Sequence, residues 1–405
     1  MSSRELSIVY VWDADYPWDV RTEKICRALT AAGHRVTIVA RNKAWAPERE
    51  ALPEGMVHRM LPWRWAGQAV DNALGFPAFF SPRWRGLIRD AVEQAKADLI
   101  IVRDLPLCPA ALAIGRQKSV RVALDMAENY PAMMRDRAQG SRNPVIDALV
   151  RNPSITGMVE RYCVPRFDWI FTVVEESSTR LVGIGADARR MSVVSNTPPA
   201  VRAKEAGQRV TSPTHPVTLV YLGVLEAARG IGDFVDAVAV LKERAPGRFR
   251  AIVIGGGRDA EIFKAQANHL GILNSEMTFL GKIPHNDALK VMSTADIGVI
   301  PHRATESWNT TIPNKLFDYM AAGLAVVSSD TAPCQRVIRE TGCGEIFASG
   351  DAAAFAAAVL KVGLPANLRQ MQLCGPRAIS ERYNWERDTA TLLESIAEIT
   401  GRARN

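Results

Sequence analysis

The chain has 405 residues, of which 47% are hydrophobic and 23% charged. This is ample material for a packed core and more than most single domains contain, so two domains are expected. The formal net charge is +7 at pH 7, but the basic residues are scattered and form no Lys/Arg tract or zinc-finger motif, which argues against a nucleic-acid partner.

The first half of the chain alternates strand-like and helix-like segments. Residues 6–12 form a β-branched run, residues 20–33 carry apolar residues at helical spacing, and residues 34–41 are again strand-like. Further strands are predicted at 98–103, 120–125, 168–173 and 191–196. Short apolar strands separated by helices predict a parallel sheet, because parallel neighbours need a crossover connection.

Proline and charge interrupt this alternation at residues 197–216, and we place an interdomain linker at 201–216. The alternation then restarts, with strands predicted at 217–223, 249–257, 277–281, 296–301 and 325–330. We therefore expect an N-terminal Rossmann-like domain over 1–200 and a second one over 217–380. The remaining residues, 381–405, are predicted to form a helix that packs back on the N-terminal domain.

Cysteine spacing and hydropathy bear on the cellular compartment. The six cysteines form no C-x-x-C pair, which favours reduced thiols and no structural zinc. No apolar run reaches the length of a membrane span, and the first one is too short for a signal peptide. The sequence thus predicts a cytoplasmic protein.

Several motifs stand in an order that is similar to that of a known family. They include "DVRTEKICRALTAAGHRVTIVA" (19–40), "LDMAENYP" (124–131), "VYLGVLEAARGI" (220–231) and "PNKLFDYMAAGLAVVSSD" (313–330). On these motifs the chain resembles the family-4-like GT-B glycosyltransferases of bacterial polysaccharide and glycoconjugate assembly. The resemblance implies an α/β fold of two doubly wound parallel-sheet domains facing across a cleft, with the nucleotide-sugar donor bound by the second domain.

The segment 304–330 is the first expected donor site, because a polar loop there leads into a predicted helix at about residue 314. A helix N-terminus offers unsatisfied N–H groups and the positive end of a dipole, which suit a diphosphate. The expected donor-binding residues are Thr310, Thr311, Asn314, Lys315 and Asp318. The resemblance assigns Asp318 to the ribose and puts Thr310 where the family has a sugar-binding glutamate, for which Glu306 is a candidate substitute. Alternatively, Lys315 and Asp318 form a surface pair.

The turn after residue 222 is the second expected donor site. Gly223 lets the backbone approach a ligand. The resemblance places Val224 at the family's arginine and Arg229 at its second basic position, so Arg229 and Lys315 are expected to act in catalysis by stabilising the departing diphosphate. Gly257, in a strand-to-helix turn, and His302, at a carboxyl strand end, complete the donor set, although a structural role for His302 is equally open.

The acceptor side is expected in the N-terminal domain. The resemblance matches Glu128, after the strand 120–125, to the family's acidic residue, which orients an acceptor or sugar hydroxyl and is the third expected catalytic residue. Asp19 and Arg21 are further acceptor-binding candidates, with helix capping as the alternative role of Asp19. Residues 61–90, rich in Trp and Arg, are either a membrane-interface segment or an ordinary insertion.

The function expected from this resemblance is transfer of a sugar from a UDP-, GDP-, ADP- or dTDP-linked donor to a hydroxyl of a saccharide or lipid-linked saccharide. The resemblance implies retention of anomeric configuration. No Asp-x-Asp motif stands at the donor site, so no metal and no cofactor beyond the nucleotide-sugar co-substrate is expected. Peripheral contact with the cytoplasmic face of the inner membrane is a further expectation. The alternatives are a sugar-nucleotide epimerase of the same fold and a non-catalytic GT-B partner subunit.

Overall fold

The computed structural model describes residues 4–17, 19–61, 78–139, 152–206 and 216–401. Its internal contacts divide the chain into two units. Unit 1 comprises Met1–Ser195 together with Asp388–Asn405, and unit 2 comprises Asn196–Arg387. All six cysteines are free thiols.

Unit 1 is built on an eight-stranded sheet. Its strands are β1 Ser7–Asp15, β2 Arg35–Arg41, β3 Arg49–Leu52, β4 Gly55–Arg59, β5 Leu99–Arg103, β6 Arg121–Met126, β7 Trp169–Thr172 and β8 Met191–Val193. They lie in the order β3-β4-β2-β1-β5-β6-β7-β8, and every neighbouring pair is parallel except β3 with β4. The central strand β5 is buried along its whole length, as expected where helices cover both faces of a parallel sheet.

Unit 2 is built on a six-stranded sheet that is parallel throughout. Its strands are β9 Val217–Leu222, β10 Phe249–Ile254, β11 Met277–Gly281, β12 Ile297–Ile300, β13 Ala325–Ser329 and β14 Gly344–Phe347. The order is β11-β10-β9-β12-β13-β14, so the chain switches direction between β9 and β12. Phe234, Phe347 and Phe355 stack beneath this sheet with ring centroids 5.6 and 4.2 Å apart.

Helices connect the strands in both units, as the alternation of the sequence predicts. In unit 1 they are α1 Val20–Ala31, α2 Pro82–Ala95, α3 Cys108–Lys118, α4 Tyr130–Gln139, α5 Pro153–Cys163 and α6 Glu175–Val182. In unit 2 they are α7 Val201–Ala206, α8 Ile231–Arg244, α9 Ala260–His269, α10 His285–Thr294, α11 Lys315–Ala321, α12 Ala332–Thr341, α13 Ala352–Val362 and α14 Pro365–Glu381. The last helix, α15 Trp385–Gly401, belongs to unit 1 from Asp388 onward. The predicted pair of parallel-sheet, Rossmann-like domains is thereby confirmed.

The structure differs from the predicted organisation in the segments described next. The hairpin of β3 and β4 is absent from the prediction, as is strand β14. Residues 201–206, at the start of the predicted linker, form helix α7, which packs against α11 and α14. Of the Trp- and Arg-rich stretch 61–90, residues 62–77 lie outside the described residues, and the rest forms a short 3-10 turn at Ala78–Phe80 and the start of α2. No helix in the described ranges is long and apolar enough to cross a membrane.

A buried ion pair fastens α1 to the sheet of unit 1. Arg21 Nε donates to Asp125 Oδ1 at 2.9 Å, and Arg21 Nη1 donates to the carbonyl of Val194 at 2.6 Å. Tyr10 donates its hydroxyl to Asp125 Oδ2 at 2.6 Å. Burial opposes ionisation of Asp125, but the charges of Arg21 and Arg103 and the hydrogen bonds hold the pKa of this carboxyl below its usual value. The pair therefore stabilises the fold at neutral pH, and this stabilisation is lost as the pH falls through that lowered pKa.

We expect Arg21→Met to lower the free energy of unfolding by about 3–5 kcal/mol, because it leaves the Asp125 carboxylate buried without its main partner. Urea denaturation at pH 7 measures this loss. Tyr10→Phe, which removes one hydrogen bond to the same carboxylate, should cost about 1–3 kcal/mol. Arg189→Met, at an exposed pair with Asp187, is the control and should unfold like the wild type. An Arg21→Met midpoint equal to that of the wild type would show that the pair does not hold α1.

Candidate functional site

The carboxyl edge of the unit 2 sheet is closed by turns in which backbone segments touch. Gly223 donates its N–H to the carbonyl of Ile254 at 2.9 Å. A Cβ on Gly255 would lie 1.8 Å from the carbonyl oxygen of Gly223, and a Cβ on Gly257 would lie 2.2 Å from that of Leu225. Only glycine permits such contacts, so the turns after β9 and β10 lie against each other. Two of the predicted donor residues, Gly223 and Gly257, are in these turns.

Lys315 lies buried beside Gly223 at this edge. A Cβ on Gly223 would lie 3.0 Å from Lys315 Nζ, and that nitrogen sits 3.9 Å from the ring centroid of Tyr221. The side chain is 8% exposed, and Nζ has no hydrogen-bond partner among the described residues. Burial, reinforced by the charge of Arg229, lowers the pKa of Lys315 well below its ordinary value. The first residue of α11 is therefore a buried amine without an anionic partner in the described ranges.

His302 follows β12 at the same edge and is fully buried. Neither ring nitrogen has a hydrogen-bond partner among the described residues. Burial together with the charges of Lys315 and Arg229 lowers the pKa of His302 well below its ordinary value, so the ring is neutral at pH 7. The imidazole stacks on the indole of Trp308 with centroids 4.0 Å apart.

Arg229 reaches this edge from the 3-10 turn Ala227–Arg229. The next residue, Gly230, has φ of 68°, and a Cβ there would lie 1.7 Å from the carbonyl oxygen of Pro301, so the turn sits directly on the end of β12. The guanidinium carbon of Arg229 lies 5.2 Å from the ring centroid of Trp308. The structure thus brings three predicted donor residues together, namely Arg229, His302 and Lys315.

The loop before α11 and the helix itself hold the other predicted donor residues. Thr310 donates its hydroxyl to the carbonyl of Glu306 at 3.0 Å, which closes the turn that carries Trp308. Thr311 is buried and Asn314 is exposed, with no capping hydrogen bond from the Asn314 side chain. Asp318 is 33% exposed and lies 3.8 Å from Arg202 of α7. The alternative, a surface pair of Asp318 with Lys315, is not formed, since Asp318 lies beside Arg202 and Lys315 is buried.

Tyr319 is a residue of this edge that the sequence analysis missed. Its hydroxyl accepts the N–H of Leu222 at 3.0 Å, which ties α11 to the end of β9. Its ring lies against Gly298, where a Cβ would come within 2.3 Å of the ring atoms. This contact positions Lys315, one turn earlier on the same helix. The clue in the sequence is Gly298 itself, a glycine inside a predicted buried strand.

In unit 1 the predicted acceptor residues have structural partners. Asp19 caps α1 by accepting the N–H of Thr22 at 2.7 Å and lies 3.1 Å from Arg103 Nη1, so the capping alternative holds. Arg21 is 3% exposed and engaged by Asp125, as described above. Glu128 is half-buried after β6 and donates its backbone N–H to the Asp104 carboxylate at 3.2 Å. Contact of any of these side chains with an acceptor stays a prediction.

Arg103 and Asp104, at the carboxyl end of β5, were missed by the sequence analysis. The guanidinium of Arg103 lies 4.6 Å from the ring centroid of Trp12 and is almost fully buried. Burial, partly offset by Arg103, raises the pKa of Asp104 to about 6. The sequence does contain a signal for these two residues: both are charged and directly follow the apolar run "LIIV", at the end of a predicted strand. The backbone N–H of Glu128 contacts the Asp104 carboxylate, so Glu128 follows β6 at the same edge of unit 1.

The chemistry of the unit 2 edge is that of an anion site. Arg229 and Lys315 have no carboxylate within ion-pair distance in the part of the chain that the structure describes. Buried polar groups are normally paired, and a phosphate oxygen satisfies both an ammonium and a guanidinium. Within the described ranges, no three His, Cys, Asp or Glu side chains are arranged to hold a metal ion.

Comparison with known proteins agrees with this geometry. The model of "Glycosyl transferases group 1" matches residues 216–363, and that of "Glycosyl transferase 4-like domain" matches residues 19–197. The chain is 27% identical over 407 residues to a phosphatidyl-myo-inositol mannosyltransferase of Mycobacterium tuberculosis, covering 98% of this chain and 97% of that one. It is 26% identical over 225 residues to the amylovoran biosynthesis glycosyltransferase AmsK of Erwinia amylovora, covering 54% of each.

Solved structures share the fold. Sucrose-phosphate synthase from Thermosynechococcus elongatus superposes with a TM-score of 0.75 at 16% identity, covering 98% of this chain and 99% of that one. HepE from Anabaena in complex with UDP gives a TM-score of 0.73 at 13% identity, covering 97% and 100%.

The two parallel-sheet units and the matched models define a GT-B glycosyltransferase that uses a nucleotide sugar as donor. The chain belongs to the family-4-like glycosyl transferases of group 1. This membership favours the transferase interpretation over the epimerase and the non-catalytic subunit.

We expect Lys315→Met to stabilise the free enzyme and to weaken nucleotide binding. Wild-type stability should rise with pH between the lowered pKa and the ordinary value near 10.5, because the unfolded state holds the Lys315 proton more tightly than the folded state. Methionine removes this pH-dependent destabilisation, so the variant should melt about 2–4 °C higher at pH 7. It should also bind a nucleoside diphosphate about 10- to 100-fold more weakly, because a charge-assisted contact is lost.

Scanning calorimetry between pH 7 and 10, with and without nucleotide, measures both effects. Lys290→Met is the matched control, since Lys290 is 78% exposed and pairs with Asp287 on α10. This control should leave both the melting temperature and nucleotide binding unchanged. A Lys315→Met variant that is less stable than the wild type at pH 7 would contradict the interpretation of Lys315 as a buried amine without an anion.

Proposed function

We propose that this glycosyltransferase transfers a sugar to a hydroxyl of a saccharide or lipid-linked saccharide, with retention and without a metal ion. The observation that carries the proposal is the cluster of Arg229, His302 and Lys315 at one sheet edge, where no described carboxylate neutralises the two basic side chains. The names of the relatives support the acceptor class. They include mannosyltransferases that act on phosphatidyl-myo-inositol, an amylovoran biosynthesis enzyme and a glycogen synthase.

In the proposed donor complex, unit 2 binds the nucleotide diphosphate. Arg229 and Lys315 contact the phosphate oxygens, and the anion restores the pKa of Lys315 toward its ordinary value, so the ammonium form is favoured when donor is bound. The glycine turn at Gly223 admits the diphosphate close to the backbone. His302, which is neutral and has no hydrogen-bond partner among the described residues, donates one ring N–H to a phosphate or sugar oxygen. Asp318 accepts hydrogen bonds from the ribose hydroxyls.

In the proposed transfer step, the acceptor hydroxyl attacks the anomeric carbon on the face from which the diphosphate departs. The bond from the anomeric carbon to the phosphate oxygen breaks, and the departing diphosphate takes the acceptor proton. Arg229 and Lys315 stabilise the charge that develops on the leaving group. Glu128, in unit 1, orients the acceptor hydroxyl. The two basic side chains supply the counter-charge that a metal ion would otherwise provide.

Binding of the donor is testable by thermal stabilisation with UDP-, GDP-, ADP- and dTDP-sugars and the free nucleotides. One nucleotide should raise the melting temperature of the wild type. Asp318→Ala should weaken the binding of that nucleotide by about tenfold or more, because the ribose hydroxyls lose a charged acceptor. Arg202→Ala is the control, since it removes the ion pair with Asp318 but keeps the carboxylate. Stabilisation by none of these ligands, measured also with acceptor present, would contradict the assignment of the donor site.

Metal independence is testable once a donor and an acceptor are known. The transfer rate should be the same in excess EDTA as in buffer with Mg²⁺ or Mn²⁺, because Arg229 and Lys315 carry the counter-charge. Proton NMR of the product, compared with the donor, should show the same anomeric configuration. Loss of activity in EDTA that Mn²⁺ or Mg²⁺ restores would refute the metal-free mechanism, and an inverted product would refute retention.

A further inference from the structure

Trp308 contacts His302 and Arg229, two of the residues proposed to bind the diphosphate, but the proposed function gives it no role. Its indole stacks on the His302 imidazole at 4.0 Å between centroids, with an angle of 28° between the planes. The guanidinium carbon of Arg229 lies 5.2 Å from its ring centroid. Trp308 is half-buried, and its indole lines the anion site formed by Arg229, His302 and Lys315.

The loop that carries Trp308 is held in place by hydrogen bonds on both sides. Asn309 donates its backbone N–H to the carbonyl of Thr305 at 2.9 Å, which closes a turn around Trp308. The side-chain oxygen of Asn309 accepts the N–H of Ala332, at the start of α12, at 2.9 Å. Ala304 donates its N–H to the Ser349 hydroxyl at 2.8 Å. The indole is therefore presented from a defined position and not from a free loop.

The ring face is the contact that orients the head group of Arg229. In the described part of the chain, this guanidinium has no carboxylate in ion-pair range, and its side chain is only half-buried. An arginine in that situation samples many rotamers, and ordering it on ligand binding costs conformational entropy. A guanidinium over an indole is attracted by the ring quadrupole, most strongly where water is excluded.

We propose that Trp308 is a positioning residue, which holds the guanidinium of Arg229 in place to receive the donor diphosphate. This inference rests on the proposed function of Arg229 as the phosphate counter-charge. It assigns Trp308 an action through Arg229, so removing the indole weakens diphosphate binding only while Arg229 is present. The turn at Gly230, fixed against Pro301, sets the distance that the Arg229 side chain must span to reach the ring.

The test is a double-mutant cycle on the binding of one free nucleoside diphosphate, the one among UDP, GDP, ADP and dTDP that stabilises the wild type. Isothermal titration gives the dissociation constant for the wild type, Trp308→Ala, Arg229→Ala and the double variant. Trp308→Ala should weaken binding about five- to tenfold. The double variant should bind no more weakly than Arg229→Ala alone, because the indole acts through the guanidinium.

Two further substitutions separate positioning from simple packing. Trp308→Phe keeps an aromatic face and should restore most of the affinity, whereas Trp308→Leu keeps apolar volume without that face and should bind like Trp308→Ala. Melting temperatures of the free variants show whether each is folded. Arg248→Ala is the matched control, since Arg248 stacks on Phe249 at 5.3 Å at the amino end of β10 and its loss should leave binding unchanged.

The outcomes distinguish the inference from the proposal on which it rests. Additive effects in the cycle, or a Trp308→Leu variant that binds like the wild type, would overturn the positioning role while leaving the donor site in place. Wild-type binding that is unaffected by Arg229→Ala would overturn both the assignment of Arg229 and the inference. A wild type that binds none of the four nucleotides would overturn the proposed donor site itself.

Discussion

The carboxyl edge of the unit 2 sheet is arranged around a basic amine that is buried where no described residue supplies an anion. Lys315 lies beneath Gly223 and over the Tyr221 ring, and Arg229 adds a second positive charge to the same edge. Such an arrangement costs free energy in the empty protein, so it persists only because the surrounding fold holds it. The closely packed glycine turns, the hydrogen bond from Leu222 to Tyr319 and the apolar core below the sheet provide that support.

The two units differ in how their buried charged groups are partnered. In unit 1 the buried arginines lie within ion-pair distance of carboxylates, Arg21 of Asp125 and Arg103 of Asp19, so their charge is balanced within the unit. In unit 2 the buried nitrogen atoms of His302 and Lys315 have no partner among the described residues. A ligand with a strong negative charge suits the second edge, and a hydroxyl-bearing ligand suits the first. This asymmetry matches the proposed binding of the diphosphate donor by unit 2 and of the hydroxyl acceptor by unit 1.

The sequence predicted the parts of the structure that local patterns determine. Short apolar runs such as "LIIV" and "AVV" predicted the parallel strands, and the restart of the strand–helix alternation predicted the second sheet. The hairpin of β3 and β4 was missed because both strands, "REAL" and "GMVHR", are short and carry too few apolar residues to show a strand pattern. The role of Arg103 was missed because its partner Asp19 lies on another element far away in sequence. Trp308 was missed because its stacking on His302 depends on how the intervening loop folds back.

The departures from the family pattern acquire a physical meaning from these contacts. Val224 stands where the family has an arginine, and the loop places Arg229 and the indole of Trp308 at the same edge. Thr310 stands at the position where the family has a glutamate. Its hydroxyl donates to the carbonyl of Glu306 and closes the turn that carries Trp308. In the proposed donor site, the loss of one cation and one carboxylate is thus accompanied by an aromatic ring that positions Arg229, which acts together with Lys315. In the proposed donor complex, diphosphate binding relieves the cost of burying Lys315, so the same interaction would bind the donor and stabilise the departing group.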